Sequence, residues 1–281
     1  RGMRRKDKNM PIKLLADNSK VEIGSFPDHT HIIRVESQKL PDQVTIKWNY
    51  AADEELFSLV AVTRYLQEHG VSKIDLQMPY IPNARFDRVN NPDEVFTLKY
   101  FVEIINSLNF NKVYVLDAHS NVSLALINNV AQMDVKSRIR KAIDSFKPDV
   151  LFMPDEGAHK RYGSMFDMPS TFGIKTRDWR TGDIKDYFLA DPSLIKDNKV
   201  LIIDDISSRG GTFYHAGCLL HNYDAEDIGL YVSHCEPTIA EGEVLKPEFS
   251  YISQVYTADP LWDATFAAEH EPVLKAITVI N

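Results

Sequence analysis

The sequence has little cysteine and no long apolar run. Cys218 and Cys235 are its two cysteines, too few for a disulfide framework, and this usage is typical of a reducing compartment. No stretch approaches the roughly 20 apolar residues that span a bilayer. We therefore expect a cytoplasmic protein without a membrane segment, in which both cysteines behave as small apolar core residues.

Positive charge is also in short supply. The 40 acidic residues outnumber the 32 Lys and Arg residues, which gives a net charge of −8. This balance argues against a general nucleic-acid binder or a membrane-surface binder, although local loops can still bind phosphate. Residues 1–10 are basic, but no apolar segment follows them, so we expect a flexible tail and not a secretory signal.

Repeats and low-complexity tracts are absent as well, and short apolar runs alternate with helical patterns instead. Strands are predicted at 74–78, 113–116, 150–153, 200–203 and 228–232. Helices are predicted at 53–69, 96–108 and 135–146. This alternation is typical of an α/β fold with mostly parallel sheets flanked by helices.

The length favours one or two domains, and we expect two. A boundary near Lys147–Pro148 divides the chain into an N-terminal α/β domain, residues 11–147, and a C-terminal α/β domain, residues 148–281. Residues 176–192 are polar, carry mixed charge and show no clean periodicity. They predict a long loop of the kind that often serves as a lid.

The segment VLIIDDISSRGGTF has the clearest chemical meaning. Its apolar run ends in Asp204 and Asp205, and a polar loop then ends at Gly210-Gly211-Thr212 before a helical pattern. Open α/β sheets bind ligands at the carboxyl ends of their strands, where paired carboxylates can accept hydrogen bonds from both hydroxyls of a ribose. Glycines and the first N–H groups of a helix suit a phosphate. The segment therefore predicts a seat for ribose 5-phosphate, and the alternative is an acidic strand end followed by a simple glycine turn.

Five segments together resemble the phosphoribosyl pyrophosphate synthetases, or ribose-phosphate diphosphokinases. Besides the ribose-phosphate loop they are SFPDHTHIIRV, MPYIPNARFDRV, VLDAHS and MPDEGAHKRYG. The loop alone also occurs in type I phosphoribosyltransferases, whereas the other four segments resemble the synthetases and not the transferases. The resemblance implies two similar domains of the type I phosphoribosyltransferase-like fold, each a mostly parallel sheet flanked by helices. It also implies transfer of pyrophosphate from ATP to the anomeric hydroxyl of ribose 5-phosphate.

The resemblance further implies a role for individual residues. The ATP-binding positions are Phe26, Asp28, Arg85, Asp87 and His119. The ribose-phosphate-binding positions are Asp204, Asp205, Ser208, Arg209, Gly210, Gly211 and Thr212. The catalytic cations of a mobile loop are Lys175 and Arg177, for which solvated surface charges are the alternative. The positions associated with Mg²⁺ are His119 and Asp155. Family members form dimers or larger homo-oligomers, so we expect at least a dimer.

The chain departs from the family where substrates bind. The family's loop reads DTGGT, and here Ser208 and Arg209 replace the acid and the threonine. The local charge therefore rises by about two units, which favours a more anionic 5-substituent such as that of ADP-ribose. The same chemistry on ADP-ribose, in NAD salvage, is thus an alternative, unless Arg209 faces solvent or contacts the ordinary phosphate. Two further alternatives are a type I phosphoribosyltransferase and a non-catalytic subunit associated with a synthetase.

Overall fold

The computed structural model describes residues 11–16, 19–177 and 184–280. Its contacts divide the chain into two compact units, Arg1–Met133 and Asp134–Asn281, which we call unit 1 and unit 2. The predicted tail at residues 1–10 lies outside the described residues. Within the described ranges, no helix is both long enough and apolar enough to cross a membrane.

Unit 1 is built on a sheet with the strand order β1-β4-β5-β6-β7, in which β1 is antiparallel and the other strands are parallel. Its strands are β1 (Ile12–Leu14), β4 (Gln43–Trp48), β5 (Lys73–Gln77), β6 (Lys112–Val115) and β7 (Val130–Gln132). A separate antiparallel hairpin consists of β2 (Ser19–Ser25) and β3 (His31–Ser37). The helices are α1 (Glu55–Glu68), α2 (Thr97–Ser107) and α3 (Asn121–Leu126). Leu59, Val62 and Leu66 of α1 are buried, and their spacing is that of a helix with one apolar face.

Unit 2 is built on a second sheet with the order β10-β9-β8-β11-β12-β13-β14. Its strands are β8 (Val150–Met153), β9 (Ser170–Arg177), β10 (Ile184–Leu189), β11 (Lys199–Ser207), β12 (Asp227–Cys235), β13 (Gln254–Pro260) and β14 (Ile277–Val279). Only β10 is antiparallel to its neighbour among these described strands. The helices are α4 (Val135–Phe146), α5 (Glu156–Tyr162), α6 (Gly211–Asn222), α7 (Ala264–Glu269) and α8 (Glu271–Leu274). Buried side chains cover both faces of the central strands, as a parallel sheet requires.

The predicted α/β architecture with mostly parallel sheets is confirmed. The apolar runs predicted as strands correspond to β5, β6, β8, β11 and β12, and the helical patterns correspond to α1, α2 and α4. The division between the units falls before α4, one helix earlier than the boundary near Lys147–Pro148. The physical reason is that α4 packs against β12 and β13 through Ile139 and Phe146 in the core of unit 2.

The prediction of a long loop at 176–192 was wrong for the part that the structure describes. Thr176 and Arg177 end β9, and β10 pairs with β9 in antiparallel orientation. The Thr176 hydroxyl donates to Asp186 Oδ2 at 3.0 Å across the pair. Because β10 is an edge strand, polar residues such as Asp186 are tolerated in it, and they obscure the apolar alternation that signals a strand. Residues 178–183 lie outside the described part of the chain.

Candidate active site

The two predicted ribose-binding carboxylates lie within the last part of β11, which continues to Ser207 instead of ending at Ile203. Asp205 is buried, at 4% exposed, and its Oδ2 lies 3.4 Å from Arg161 Nη1 of α5. Asp204 is half-buried, and its Oδ1 accepts a hydrogen bond from the Asp205 amide at 2.9 Å. The neighbouring carboxylates therefore differ in environment, because Asp205 lies beside the Arg161 guanidinium whereas Asp204 Oδ1 accepts from a backbone amide.

This difference affects protonation. Burial raises the pKa of Asp204 well above the ordinary range of a carboxyl group, and the negative charges of Asp205 and Asp155 add to the rise. Arg161 lies beside Asp205 and offsets the charge of that carboxylate. Asp204 consequently holds its proton to a higher pH than an exposed aspartate does.

The loop between β11 and α6 has the backbone that the glycine motif predicts. Gly210 has φ +80°, a left-handed conformation that a side chain disfavours, and a Cβ there would lie 2.7 Å from Val244 Cγ2. A Cβ on the next residue, Gly211, would meet no atom within 4 Å. Gly211 is also exposed and is the first residue of α6, a helix of 12 residues. An anion can therefore approach the first N–H groups of this helix closely.

The two atypical loop residues both have protein partners in unit 2. The Ser208 hydroxyl lies 3.1 Å from the Thr238 hydroxyl. Arg209 Nη2 lies 3.2 Å from Glu241 Oε2, with the two side chains 71% and 65% exposed. The positive charge that Arg209 brings to the loop is thus partly offset by Glu241.

Lys175 and Asp155 come together on neighbouring elements of unit 2. Lys175 Nζ, on β9, lies 3.9 Å from Asp155 Oδ2, and the lysine side chain is 11% exposed, which does not fit a solvated surface charge. Asp155 Oδ1 accepts from the Ala158 amide at 3.0 Å and so caps α5. Arg177 is the last residue of β9, where it pairs with Ile184 of β10. The catalytic role of Arg177 stays a prediction, because its side chain is outside the described part.

Two residues at this site were missed by the sequence analysis. Tyr187 of β10 places its ring centroid 5.3 Å from Lys175 Nζ and donates from its hydroxyl to Pro154 O at 3.0 Å. Its position inside an apparent polar loop concealed it. Arg161 lies in the segment MPDEGAHKRYG, but no spacing in that segment indicates that it would pair with Asp205.

In unit 1, Phe26 and Asp28 lie in the turn between β2 and β3. Phe26 is 52% exposed, which is unusual for so large an apolar side chain. Asp28 Oδ1 accepts from both the amide and the hydroxyl of Thr30, at 3.1 and 2.7 Å, and these bonds lower the pKa of the Asp28 carboxyl. The turn therefore presents an exposed aromatic ring beside a carboxylate whose position is set by Thr30.

The other predicted ATP-binding residues follow β5 and β6 in unit 1. Asp87 is buried and forms its ion pair with Arg88, whose Nε lies 2.8 Å from Asp87 Oδ1. The Arg88 hydrogen bond lowers the pKa of Asp87, with a smaller contribution from His119. His119 and Arg85 are both exposed. The structure therefore brings the charges of Arg88 and His119 to bear on the Asp87 carboxylate.

No cluster of three or more His, Cys, Asp and Glu side chains suited to a metal occurs in the described ranges. The two predicted metal positions, His119 and Asp155, belong to different units. A metal that uses these residues must take most of its ligands from elsewhere.

Comparison with known proteins agrees with the fold. The phosphoribosyl transferase domain family matches residues 133–264, which include β11, the glycine loop and α6. The ribose-phosphate pyrophosphokinase of Saccharolobus solfataricus is 26% identical over 76% of this chain and 76% of that protein. The protein of the same name from Pyrococcus furiosus is 26% identical over 83% of each chain.

A solved structure extends the similarity to both units. The crystal structure of phosphoribosylpyrophosphate synthetase from Mycobacterium smegmatis superposes with a TM-score of 0.71 at 18% identity, covering 93% of this chain and 86% of that chain. At this identity the match shows the fold, and it includes the type I phosphoribosyltransferase-like architecture predicted from the sequence. The domain match, the relatives and this structure agree with the resemblance of the five segments, since the chain is similar over most of its length to the phosphoribosyl pyrophosphate synthetases, a diphosphokinase family.

Proposed function

We propose that this protein transfers the β,γ-pyrophosphate of ATP to the anomeric hydroxyl of ribose 5-phosphate, giving phosphoribosyl pyrophosphate and AMP. The observation that carries the proposal is the end of β11, where Asp204 and Asp205 precede a left-handed glycine and an exposed helix N-terminus. The two carboxylates can accept hydrogen bonds from two sugar hydroxyls, and the backbone N–H groups at the start of α6 can donate to one phosphate. Relatives named ribose-phosphate pyrophosphokinase support the same reaction.

Acceptor binding follows from the chemistry of this loop. Asp205, facing Arg161, is a charged acceptor for a ribose hydroxyl. Asp204 accepts a second hydroxyl most strongly when it is ionised. The N–H groups of Gly211 and Thr212 open α6 and would receive the 5-phosphate, because a helix N-terminus favours an anion.

Pyrophosphoryl transfer requires cations at the β-phosphate. The anomeric oxygen attacks the β-phosphorus, the bond from this phosphorus to the α,β-bridging oxygen breaks, and AMP leaves. Charge develops on the transferring group and on AMP, so fixed cations there lower the barrier. Lys175 and Arg177 are our assignment for these cations, and Phe26, Asp28, Arg85, Asp87 and His119 are our assignment for ATP binding.

The residues present are compatible with Mg²⁺. This ion prefers oxygen ligands and takes most of them from substrate phosphates and water, so one carboxylate is sufficient. The Asp155 side chain is 52% exposed and can supply that carboxylate. Imidazole suits Mg²⁺ less well, and we therefore assign His119 mainly to the ATP phosphates. Bound Mg²⁺ would screen the negative charge of the pyrophosphate.

ADP-ribose is the second candidate acceptor, because Ser208 and Arg209 make the loop less acidic. The ion pair between Arg209 and Glu241 offsets part of that change, so we place ribose 5-phosphate first. The homo-oligomeric assembly and the cytoplasmic location stay predictions.

An AMP-release assay with Mg-ATP tests the proposal, with each acceptor offered separately and the product identified by mass. We expect AMP and phosphoribosyl pyrophosphate with ribose 5-phosphate. AMP release with ADP-ribose but not with ribose 5-phosphate would show that ADP-ribose is the acceptor. If neither acceptor gave AMP, the protein would not be a diphosphokinase. Release of pyrophosphate from phosphoribosyl pyrophosphate and a nucleobase would instead identify a phosphoribosyltransferase.

A further inference from the structure

Tyr187 contacts both Lys175 and Pro154, the residue that precedes Asp155. It is the register partner of Lys175 on the neighbouring strand, and its ring centroid lies 5.3 Å from Lys175 Nζ. At this distance the ring face attracts an ammonium group. The Tyr187 hydroxyl donates to Pro154 O, the carbonyl directly before Asp155. One side chain thus joins the lysine to the segment that carries its carboxylate neighbour.

Gly173 makes this placement of the ring possible. A Cβ at Gly173 would overlap the Tyr187 ring, with Cε2, the hydroxyl oxygen and Cζ as its nearest atoms. The ring therefore lies across β9 in the space that a side chain would otherwise fill. Gly173 and Tyr187 form a matched pair. A side chain at position 173 would displace the Tyr187 ring, and without that ring the space above Gly173 would be empty.

The hydroxyl of Tyr187 remains a donor over a wide pH range. Burial raises the pKa of Tyr187, and the negative charges of Asp155 and Asp204 raise it further. The phenol is therefore neutral under ordinary conditions. Its hydrogen bond to Pro154 O fixes the ring, and a fixed ring limits the positions open to a flexible lysine side chain.

We propose that Tyr187 is a positioning residue for catalysis, holding the Lys175 ammonium group beside Asp155, and that Gly173 provides the space it needs. This inference rests on the proposed function, because it assumes that Lys175 acts on the β-phosphate. A lysine held in advance stabilises the charge that develops during transfer, whereas a mobile lysine must first be ordered. Loss of the ring should therefore lower kcat more than it changes the KM for ATP.

The kinetic test compares Tyr187→Leu and Tyr187→Phe in the wild type and in Lys175→Ala. We expect Tyr187→Leu to lower kcat about tenfold, the order of one desolvated cation–π contact. Tyr187→Phe keeps the ring but loses the hydrogen bond to Pro154 O, so its loss of kcat should be smaller than that of Tyr187→Leu. In Lys175→Ala, Tyr187→Leu should cause no further loss. An equal loss in both backgrounds would show that Tyr187 acts on folding alone and would overturn the proposal.

Phe188→Leu is the matched control, since Phe188 is the adjacent residue of the same edge strand and is exposed. It should leave kcat unchanged, and thermal unfolding should show that both leucine variants are folded. Gly173→Ala should reproduce the loss of Tyr187→Leu, and the double variant should be no worse than Tyr187→Leu alone. Additive losses in the double variant would contradict the matched pair.

A second readout does not depend on the activity. Acetic anhydride modifies accessible lysines, and peptide mass mapping gives the rate at Lys175, which is 11% exposed. We expect this rate to rise in Tyr187→Leu and Gly173→Ala but not in Phe188→Leu. An unchanged rate would refute the positioning role. Absence of AMP release by the wild type would instead refute the proposed function, while the labelling would still test the contact.

Discussion

Replacement of Asp204 by asparagine should stabilise the protein at neutral pH while it weakens acceptor binding. Asn has nearly the same shape and carries no charge, so Asp204→Asn removes the cost of ionising a buried group beside Asp205 and Asp155. Because the pKa of Asp204 is raised in the folded state, the folded protein holds this proton more tightly than the unfolded chain does. The contribution of Asp204 to stability is full below the unfolded pKa of about 4 and is lost as the pH rises through the folded pKa.

The magnitude follows from the pKa difference. Each unit of difference between folded and unfolded states corresponds to about 1.4 kcal/mol. Since the pKa of Asp204 is raised well above its usual value, we expect Asp204→Asn to increase the free energy of unfolding at pH 8, by about 1.4 kcal/mol for each unit of that rise. The gain should shrink toward pH 4, where the unfolded carboxyl also begins to hold its proton.

Urea unfolding at several pH values between 4 and 8 measures this effect. Asp167→Asn is the matched control, because Asp167 is exposed in the same unit and should give no pH-dependent gain. Kinetics on the same samples should show a higher KM for ribose 5-phosphate in Asp204→Asn. In the wild type, the KM should fall as rising pH ionises Asp204. The reasoning would be refuted if Asp204→Asn were less stable than the wild type at pH 8, or if its gain were the same at every pH.

Three further substitutions test other parts of the account. Gly210→Ala combines a left-handed backbone with a clash against Val244, so it should cost about 1–3 kcal/mol in urea unfolding and raise the KM for ribose 5-phosphate; unchanged values would contradict the loop geometry. Glu241→Gln removes the partner of Arg209, and because this pair is exposed the free energy of unfolding should change by less than about 1 kcal/mol. The ratio of kcat/KM for ADP-ribose to that for ribose 5-phosphate should rise, whereas an unchanged ratio would show that Arg209 contributes nothing to acceptor choice. Asp28→Ala should raise the KM for ATP without loss of thermal stability, and an unaffected KM would remove Asp28 from the ATP site.

The elements with strong periodicity could be predicted from the sequence. β8 has four consecutive buried apolar residues, and α4 has a regular apolar stripe ending at Phe146, so both were predicted with their observed limits. The conformation of the glycine loop between β11 and α6 was also predictable, because Gly210 has a left-handed backbone that other residues adopt poorly. These features are determined by residues close together in the chain, so a sequence pattern is sufficient to predict them.

Other features depend on contacts between distant residues. β10 is an edge strand among the described strands of unit 2 and contains polar residues such as Asp186, so it was predicted as a loop. The partner of Arg209 is Glu241, in a short segment after β12, and no spacing in the loop predicts this. The role of Tyr187 depends on the absence of a side chain at Gly173, which is visible only when β9 and β10 are side by side.

The central claim is that both the β- and γ-phosphates of ATP move together to the anomeric oxygen of ribose 5-phosphate. Phosphorus NMR of the reaction mixture tests it most directly, because it follows every phosphorus atom separately. The account predicts AMP that keeps the α-phosphorus, and a coupled diphosphate on the first carbon of ribose 5-phosphate, with little of either product in Lys175→Ala. ADP together with a singly phosphorylated sugar would contradict it, because only one phosphoryl group would then have been transferred.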